Sequence, residues 1–360
     1  MRKIASVAVV VLVLVAAGAW WHGRAGSADP SASTSTTLSP STSTSPSTST
    51  SPSPSTSTST TVLAVTTTTL DVPQTVCVNP GGTVKKGKAT IPIEMCVPWK
   101  PVDRWAGAKP SIYITSVVPH ADQPSVRVYG AWIRTSSTDL ALYPGYEGPG
   151  PSSLPRGPEM VPPAADPRLL VTFNSGFYEK DGLAGFYTAH TLYYPMIDGL
   201  ATVVRYTNGK VDIIDWKGGP KPDPRIVMAR QNLALLVNHD AATPRSADNA
   251  LWGLTLGGAP AVWRTALGID AKGNLLYVAA PEQTAQSLAA IMVRFHAVRA
   301  MQLDINPEWP IFVTYAGVGA RGPSLFVPNA NQIPGRFLYP STKDFFAVFI
   351  SHKRGEAQPW

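Results

Sequence analysis

Along the C-terminal part of the chain, runs of β-branched and apolar residues are separated by short polar turns. Residues 202–206 and 211–216 are two such runs, and the four residues between them include Asn208 and Gly209. Asn-Gly between two β-rich runs is the strongest short-range signal for a hairpin, because both residues tolerate positive φ. Residues 267–279 form a second candidate hairpin that turns at 270–273. The pattern predicts a sheet built largely from strands that are neighbours in sequence.

Only one segment has a clear helical period. Within residues 283–300, apolar side chains recur at spacings of three and four, at Leu288, Ile291, Met292, Phe295 and Val298. This spacing places them on one face of a helix. Residues 300–303 follow as a short apolar strand, and pairing should stop near Asn306 because Pro307 cannot donate to a ladder. Hairpins with few helices predict an α+β fold with a mixed or antiparallel sheet.

The N-terminal part of the chain has a different composition. Residues 4–21 are an uncharged, mostly apolar run behind Arg2 and Lys3. This run is about long enough to span a bilayer with its N-terminus in the cytoplasm. Small residues at 16–19 leave a cleaved signal peptide as the alternative. Of the 31 residues at 31–61, 29 are Ser, Thr or Pro, so this segment is predicted to be an extended, disordered stalk.

These segments predict a domain organisation and a compartment. We expect an anchor or signal at 1–24, a stalk at 25–72, an extension at 73–111 and a folded domain at 112–355. Both interpretations of the N-terminus export that domain, either tethered to the cell membrane by one span or secreted. Cys77 and Cys96 are the only cysteines, and a pair in an oxidising compartment predicts a disulfide. The net charge of +7 comes without a Lys/Arg run, so nothing indicates a nucleic-acid partner.

Three short stretches carry polar residues where a strand is expected to give way to a loop. They are Phe173-Asn174-Ser175-Gly176-Phe177-Tyr178, Arg264-Thr265-Ala266-Leu267-Gly268 and Leu303-Asp304-Ile305-Asn306-Pro307. Each contains Gly or Pro, which lets the backbone turn there. Polar side chains at strand ends above an apolar layer are typical of enzyme sites.

In this order, the three stretches resemble the motifs of the phosphodiester glycosidase family, which includes the uncovering enzyme that removes N-acetylglucosamine from a sugar phosphodiester. The family pattern Arg-Thr/Ser-Ala-Ile/Leu-Gly is matched throughout by residues 264–268. The pattern Asn-Gly-Gly-Phe-Phe is matched at 174–178 except at Ser175 and Tyr178. The pattern Asn-Leu-Asp-Gly-Gly-Gly-Ser keeps its Asp as Asp304, but Ile305 and Asn306 replace glycines. Residues 229–237 also look like a family strand, and the resemblance spans about 112–350.

The resemblance implies catalytic roles for Asp304, Arg264 and Asn174. A guanidinium fork suits a phosphate, and a carboxylate suits a base or an electrostatic partner of an oxocarbenium-like sugar. Asn174 would hydrogen-bond a sugar hydroxyl or a phosphate oxygen. The residues expected to contact substrate are Thr265, Gly176, Asn306, Gln231, Asn232, Glu308 and His239. Each catalytic candidate has a structural alternative: Arg264 as a core strut paired with Asp304, Asn174 as a turn cap, and Asp304 as a buried structural carboxylate.

Other features of the site stay open at the level of sequence. A second carboxylate could be Glu179, Asp198, Glu282 or Glu308, although a weakly basic phosphate leaving group could make one carboxylate sufficient. No metal or cofactor is expected, because the sequence has no zinc-site spacing and no Gly-rich phosphate loop. Residues 143–163 are rich in Pro and Gly and could form a lid or a plain surface connection.

Two functions are compatible with these residues. The first is an exported, membrane-tethered hydrolase that cleaves a sugar 1-phosphodiester in a cell-envelope glycan or glycolipid. The second is a module of the same fold that binds a phosphorylated glycan without turnover. The substitution of Ile305 and Asn306 for glycines favours the second, because it would add bulk at the site.

Overall fold

The protein folds as antiparallel sheets with a single α-helix in the part that the structure covers. The structure is a computed structural model and describes residues 71–78, 83–92, 94–102, 109–119, 123–151, 153–178, 184–253, 255, 257–315 and 322–351. The predicted anchor and almost all of the predicted stalk lie outside these residues. Within them, no helix is long and apolar enough to cross a membrane.

The largest sheet has eight strands, and all of its pairings are antiparallel. In spatial order they are β16 (Ala241–Ala242), β15 (Leu235–Asn238), β19 (Arg299–Gln302), β17 (Val262–Ile269), β18 (Leu275–Gln283), β7 (Val128–Ile133), β6 (Ile112–Val117) and β5 (Lys100–Pro101). The helix α1 (Ala285–Arg294) covers one face of this sheet.

Two further sheets have five strands each. One runs β11 (Thr191–Tyr194), β10 (Phe186–Thr188), β14 (Ile226–Asn232), β12 (Ala201–Tyr206), β13 (Val211–Asp215). The other runs β21 (Pro323–Leu325), β20 (Phe312–Tyr315), β9 (Leu169–Asn174), β22 (Phe345–Ile350), β8 (Thr138–Tyr143). Two small pairs complete the list, β1 (Val76–Val78) with β4 (Met95–Val97) and β2 (Thr83–Lys86) with β3 (Ala89–Pro92). Short 3-10 helices lie at Thr135–Ser137, Asp166–Arg168, Pro244–Ala247, Asn249–Trp252 and Arg336–Leu338.

The main core lies between the eight-stranded sheet and the two five-stranded sheets. Side chains from all three sheets meet there, for example Tyr277, Phe173 and Val203. A second core fills the space between α1 and the other face of the eight-stranded sheet, with Leu288, Met292 and other buried apolar residues. The eight-stranded sheet is therefore apolar on both faces, and neighbouring residues of β17 point into different cores. The predicted α+β class, with hairpins and few helices, is confirmed.

Both predicted hairpins are present. The turn at 207–210 joins β12 to β13 with Gly209 at φ 85°, and β17 and β18 pair through the turn at 270–274. The helix is shorter than the periodicity predicted. It begins behind a capping box of Thr284 and Ser287 and ends at Arg294. His296 then takes φ 65°, and its N–H together with that of Ala297 satisfies carbonyls of the last turn. A left-handed residue at this position ends helices, but the usual glycine signal is missing.

The stretch at 229–237, which resembles one family strand, is divided between two sheets. Leu233 has φ 32° and lies between β14 and β15. β14 belongs to a five-stranded sheet, whereas β15 pairs with β19 in the eight-stranded sheet. The chain therefore changes sheets just after Gln231 and Asn232, which brings the two sheets together beside the third motif.

The predicted disulfide between Cys77 and Cys96 is confirmed, and it joins directly opposed residues of β1 and β4. Val76 and Val78 of the same strand are buried in the core under α1. Because the bond closes a loop with a sequence separation of 19, we expect Cys77→Ser/Cys96→Ser to lower the free energy of unfolding by about 3 kcal/mol. Urea unfolding of the variant and of the wild type measures this. Stoichiometric thiol labelling of denatured, unreduced wild-type protein would contradict the bond.

Candidate functional site

Strand pairing brings the ends of two motif strands to one place. The N–H of Thr265 in β17 donates to the carbonyl of Asp304 at 3.1 Å, and the N–H of Leu303 donates to Thr265 at 2.7 Å. In the neighbouring sheet, Asn174 at the end of β9 pairs with Phe345 at the start of β22. Since these strands are antiparallel, the residues before Phe345 lie beside the residues after Asn174.

The side-chain amide of Asn174 connects the two sheets. Its Nδ2 donates to the hydroxyl of Thr265 at 3.0 Å, and the Thr265 hydroxyl in turn donates to the carbonyl of Asp304 at 2.8 Å. Its Oδ1 accepts from the Tyr277 hydroxyl at 2.8 Å and from the N–H of Ile311 at 3.3 Å. Burial raises the pKa of the Tyr277 hydroxyl well above its usual value, so it stays protonated and able to donate. Asn174 and Thr265 thus fix the position of Asp304.

The Asp304 carboxylate is buried and forms an ion pair with Lys343. Asp304 is 2% exposed and Lys343 6% exposed. One carboxylate oxygen, Oδ2, meets the ammonium of Lys343, and Oδ1 accepts from the N–H of Asn306 at 2.8 Å. A buried carboxylate is stable when its charge is balanced and its lone pairs are occupied. Both conditions are met here by one cation and one backbone N–H.

Two aromatic rings cover the Lys343 ammonium. Its Nζ lies 4.7 Å from the ring centre of Tyr178 and 5.2 Å from that of Trp309. The two rings meet edge to face with their centroids 6.5 Å apart. A cation over aromatic faces is attracted by the ring quadrupoles, and more strongly where water is excluded. Lys343 is therefore held by the carboxylate on one side and by the rings on others.

A second buried ion pair lies next to the first along the chain. Arg230 donates through Nε to Oδ2 of Asp344 at 2.8 Å, and both side chains are buried. The same guanidinium donates to the carbonyls of Phe177 and Gln231 and lies over the ring of Phe186. Arg230 thereby ties the loop after Asn174 to β14 and to the start of β22.

Arg264 is not brought into this group. Its guanidinium is fully buried and donates to five neutral oxygens: the carbonyls of Gln283 (2.8 Å), Trp252 (3.1 Å) and Pro260 (3.4 Å) and the side-chain oxygens of Gln302 (2.6 Å) and Asn249 (3.1 Å). None of these is a partner of Asp304. Burial lowers the pKa of Arg264 to about 10. Neighbouring positions of a strand point to opposite faces, so Thr265 faces Asn174 while Arg264 faces the α1 side. The expected convergence of Arg264 and Asp304 is not found.

Gln231 and Asn232 make structural contacts at the end of β14. The side chain of Gln231 bonds to the backbone at Gly185 and Ile197. Asn232 donates to the carbonyls of Gln302 and Leu303 and accepts from the N–H of Phe177 at 3.3 Å.

Gly176 lies against the Asn232 amide. A Cβ at position 176 would come within 2.9 Å of that side chain. The glycine of the first motif is therefore required by close packing.

The residues that replace the family glycines do not crowd the site. Ile305 is fully buried and packs in the core under α1. Asn306 accepts from the N–H of Glu308 at 3.0 Å and so forms the turn. Glu308 is half-buried and fixes the loop through its backbone, whose carbonyl accepts from Gln332. The side chain of Ile305, which was expected to add bulk at the site, lies in the core.

The remaining candidates lie elsewhere or outside the described residues. His239 is exposed in the turn after β15, next to Asn238, which pairs with Arg299 at the end of β19 remote from Asp304. Asp198 accepts from the N–H of Gly219, and Glu282 is exposed. Glu179 is not among the described residues. In the described part of the chain, one group has metal-ligand spacing, Cys77, Glu94 and Cys96, and its cysteines form the disulfide.

A small cavity adjoins the Asp304–Lys343 pair. Its volume is about 10 Å³, roughly that of one water position. It is lined by Asn174, Ser175, Trp309, Ile311, Arg336, Phe337, Lys343 and Asp344. Ser175 is 1% exposed, and its hydroxyl has no hydrogen-bond partner in the described part of the chain. The site is therefore closed, and a ligand larger than water requires side chains to move.

The predicted lid segment packs beside this cavity. The N–H of Tyr146 donates to the carbonyl of Ser341 at 2.9 Å, and that of Glu147 donates to Thr342 at 3.2 Å. The hydroxyl of Tyr178 donates to Glu147 at 3.3 Å. This segment thus contacts residues 341 and 342, which directly precede Lys343 in the loop before β22. Whether the segment opens stays a prediction.

Sequence reasoning missed the residues that form most of this site. Lys343, Asp344, Arg230, Arg336 and Trp309 belong to none of the three motifs. One signal was present: Lys343-Asp344 is a charged pair directly before the apolar run 345–350. It has the same form as the signals that indicated Asn174 and Asp304, which are polar residues at the end of an apolar strand.

Comparisons with known proteins give structural similarities only. No family model matches the sequence, and no curated protein matches it. In structure, the chain is similar to the zebrafish N-acetylglucosamine-1-phosphodiester alpha-N-acetylglucosaminidase catalytic domain auto-inhibited by its pro-peptide. The identity is 15% over 71% of this chain and 88% of that chain, with a TM-score of 0.45.

Two bacterial structures are also similar. A hypothetical protein from Synechocystis is 12% identical over 77% of this chain and 74% of that chain, with a TM-score of 0.40. A putative exported protein from Burkholderia pseudomallei is 12% identical over 63% of this chain and 74% of that chain, with a TM-score of 0.35. None of these similarities assigns an activity to this chain.

Proposed function

We propose that the protein is an exported hydrolase that cleaves a sugar 1-phosphodiester in a cell-envelope glycan or glycolipid, with Asp304 as its catalytic carboxylate. The observation that carries the proposal is the buried Asp304–Lys343 pair at the meeting point of the first and third motifs. The motif resemblance suggested this reaction class, and the geometry supports a site at the ends of those strands.

The chemistry requires a carboxylate near the anomeric carbon and a cation near the phosphate. Asp304 would stabilise the oxocarbenium-like sugar or take a proton from the attacking water. A phosphate monoester leaves readily because it is weakly basic, so one carboxylate is sufficient for this proposal. Lys343, which is 39 residues from Asp304 in sequence, would supply the cation near the phosphate. Asn174 and Thr265 hold the carbonyl and the strand end beside the carboxylate.

We propose a structural role for Arg264, because its donors are occupied by neutral oxygens of the protein. We likewise propose that Gln231 and Asn232 position the loop after Asn174. The altered third motif does not argue against turnover, since the side chain of Ile305 lies in the core. Tethering to a membrane remains a prediction from the sequence.

The test is release of free sugar from a synthetic alkyl glycosyl phosphodiester by the purified full-length protein. We expect Asp304→Asn to lower the rate by at least about a hundredfold, as is typical when a catalytic acid–base group is removed. Asp223→Asn is the matched control, because Asp223 is an exposed aspartate that pairs with Arg225 on a surface turn. It should retain the wild-type rate.

The binding module without turnover is the second outcome of the same assay. Wild-type protein that binds the phosphodiester in calorimetry but releases no sugar over a panel of glycosyl headgroups would contradict the hydrolase. Asp304→Asn with the wild-type rate would contradict the role of Asp304.

A further inference from the structure

We propose that Ser175, Arg336 and Lys343 form the subsite that takes the phosphoryl group of the ligand, a tetrahedral oxyanion. The inference rests on the proposed function and deepens it, because it assigns the phosphate to residues other than Arg264 and Asn174, which the motif resemblance implied. It places the anion in the cavity beside Asp304, where these three residues meet.

The hydroxyl of Ser175 is the first reason. It is buried, lines the cavity and has no hydrogen-bond partner in the described part of the chain. An unpaired buried hydroxyl destabilises the folded state, and buried polar groups without partners are rare in folded proteins. A ligand oxygen in the cavity would accept this hydrogen bond. The resembled family has a glycine at this position of its motif, so the hydroxyl is a feature of this chain.

The guanidinium of Arg336 is the second reason. It lies 4.9 Å from the ring centre of Trp309 and, among the described residues, donates once, to the hydroxyl of Thr342 at 3.3 Å. The described residues include no carboxylate ion-paired with it. This state contrasts with Arg230 and Arg264, whose donors are occupied by buried acceptors. A stacked guanidinium with unused donors is pre-organised for two phosphate oxygens.

Lys343 completes the subsite and couples it to Asp304. In the closed structure the Lys343 ammonium is ion-paired with the Asp304 carboxylate. A phosphate entering between Lys343 and Arg336 offers the ammonium a second anion, so the contact to Asp304 weakens as the ligand contact forms. Asp304 then retains the hydrogen bond from Asn306 on one oxygen and presents the other to the sugar. Ligand binding thereby frees the catalytic group.

The test is calorimetric titration of the full-length protein with dimethyl phosphate, a diester probe, and with inorganic phosphate and acetate for comparison. We expect both phosphates to bind and acetate to bind at least about tenfold more weakly, since a carboxylate offers its lone pairs in one plane, whereas a tetrahedral phosphate offers oxygens out of that plane. Ser175→Ala and Arg336→Gln should each weaken dimethyl phosphate about ten- to hundredfold. Arg225→Gln, which changes an exposed arginine on a surface turn, should leave binding unchanged.

A stability measurement distinguishes loss of a ligand contact from loss of the fold. We expect Ser175→Ala to unfold in urea at or above the wild-type midpoint, because the change removes a buried hydroxyl that has no hydrogen-bond partner in the described part of the chain. Wild-type affinity in both Ser175→Ala and Arg336→Gln would overturn the subsite, as would acetate binding as tightly as dimethyl phosphate. Phosphate binding that depends on both residues without sugar release would uphold the subsite and reject the hydrolase. Normal sugar release by both variants would uphold the hydrolase and reject the subsite.

Discussion

Asp304→Leu is expected to lower the free energy of unfolding by about 3–5 kcal/mol, because it leaves the Lys343 ammonium buried without its counter-ion. The double replacement Asp304→Leu/Lys343→Met is expected to recover most of that loss. Two apolar side chains of similar volume replace a buried ion pair with little net change, since neither charge then needs solvation. Urea unfolding of the two single variants and the double variant forms the double-mutant cycle that measures the coupling.

The same variants separate stability from chemistry. Sugar release should be lost in all three, including the double variant whose stability is restored. Lys217→Leu, which breaks an exposed pair with Asp215, is the control for an exposed ion pair and should change stability much less. An Asp304→Leu protein as stable as the wild type would show that Lys343 is neutral or solvated when the carboxylate is absent. It would contradict the expected contribution of the buried ion pair to stability.

Arg264→Leu is expected to destabilise the protein by about 3 kcal/mol or more. It removes five hydrogen bonds to buried or partly buried oxygens, and a buried acceptor that is left unsatisfied costs about 1–3 kcal/mol. Arg264→Lys should recover only part of this, because one ammonium cannot reach acceptors spread around a planar fork. Urea unfolding measures both variants.

Anion affinity gives the decisive readout for Arg264. If it is a strut, Arg264→Lys has reduced stability and binds dimethyl phosphate as the wild type does. If instead Arg264→Lys is fully stable and has lost anion binding, Arg264 is the phosphate ligand that the motif resemblance implied, and the assignment to Arg336 fails. The experiment compares two arginines that sequence alone could not rank.

Local patterns predicted local structure well. The Asn208-Gly209 turn and the apolar stripe on Leu288, Ile291 and Met292 follow from short-range geometry, and both are found. The end of the helix at Arg294 was missed because His296, a non-glycine residue, takes the left-handed conformation just after it. The change of sheet at Leu233 was missed for a similar reason: nothing in an apolar run marks a residue with positive φ.

The site was only partly predicted. A motif consists of residues that are neighbours in sequence, whereas the partners of a buried ion pair can be far apart in sequence. Residues 264 and 265 are adjacent in the second motif, yet their side chains face different cores. A motif cannot tell which of the two faces the ligand. Lys343 is 39 residues from Asp304, and its proximity depends on β22 pairing beside β9, which no local pattern encodes.

The closed cavity has a consequence for discrimination among ligands. If the ground state is the one in which Lys343 holds Asp304, every ligand must first bind to a minor open population, and its apparent affinity falls by the fraction that is open. A phosphorylated glycan gives Lys343 a replacement for the carboxylate and recovers the energy of opening. An uncharged glycan of the same shape offers Lys343 no replacement for the carboxylate. The protein would then reject neutral sugars through its own resting state, without a single contact that repels them.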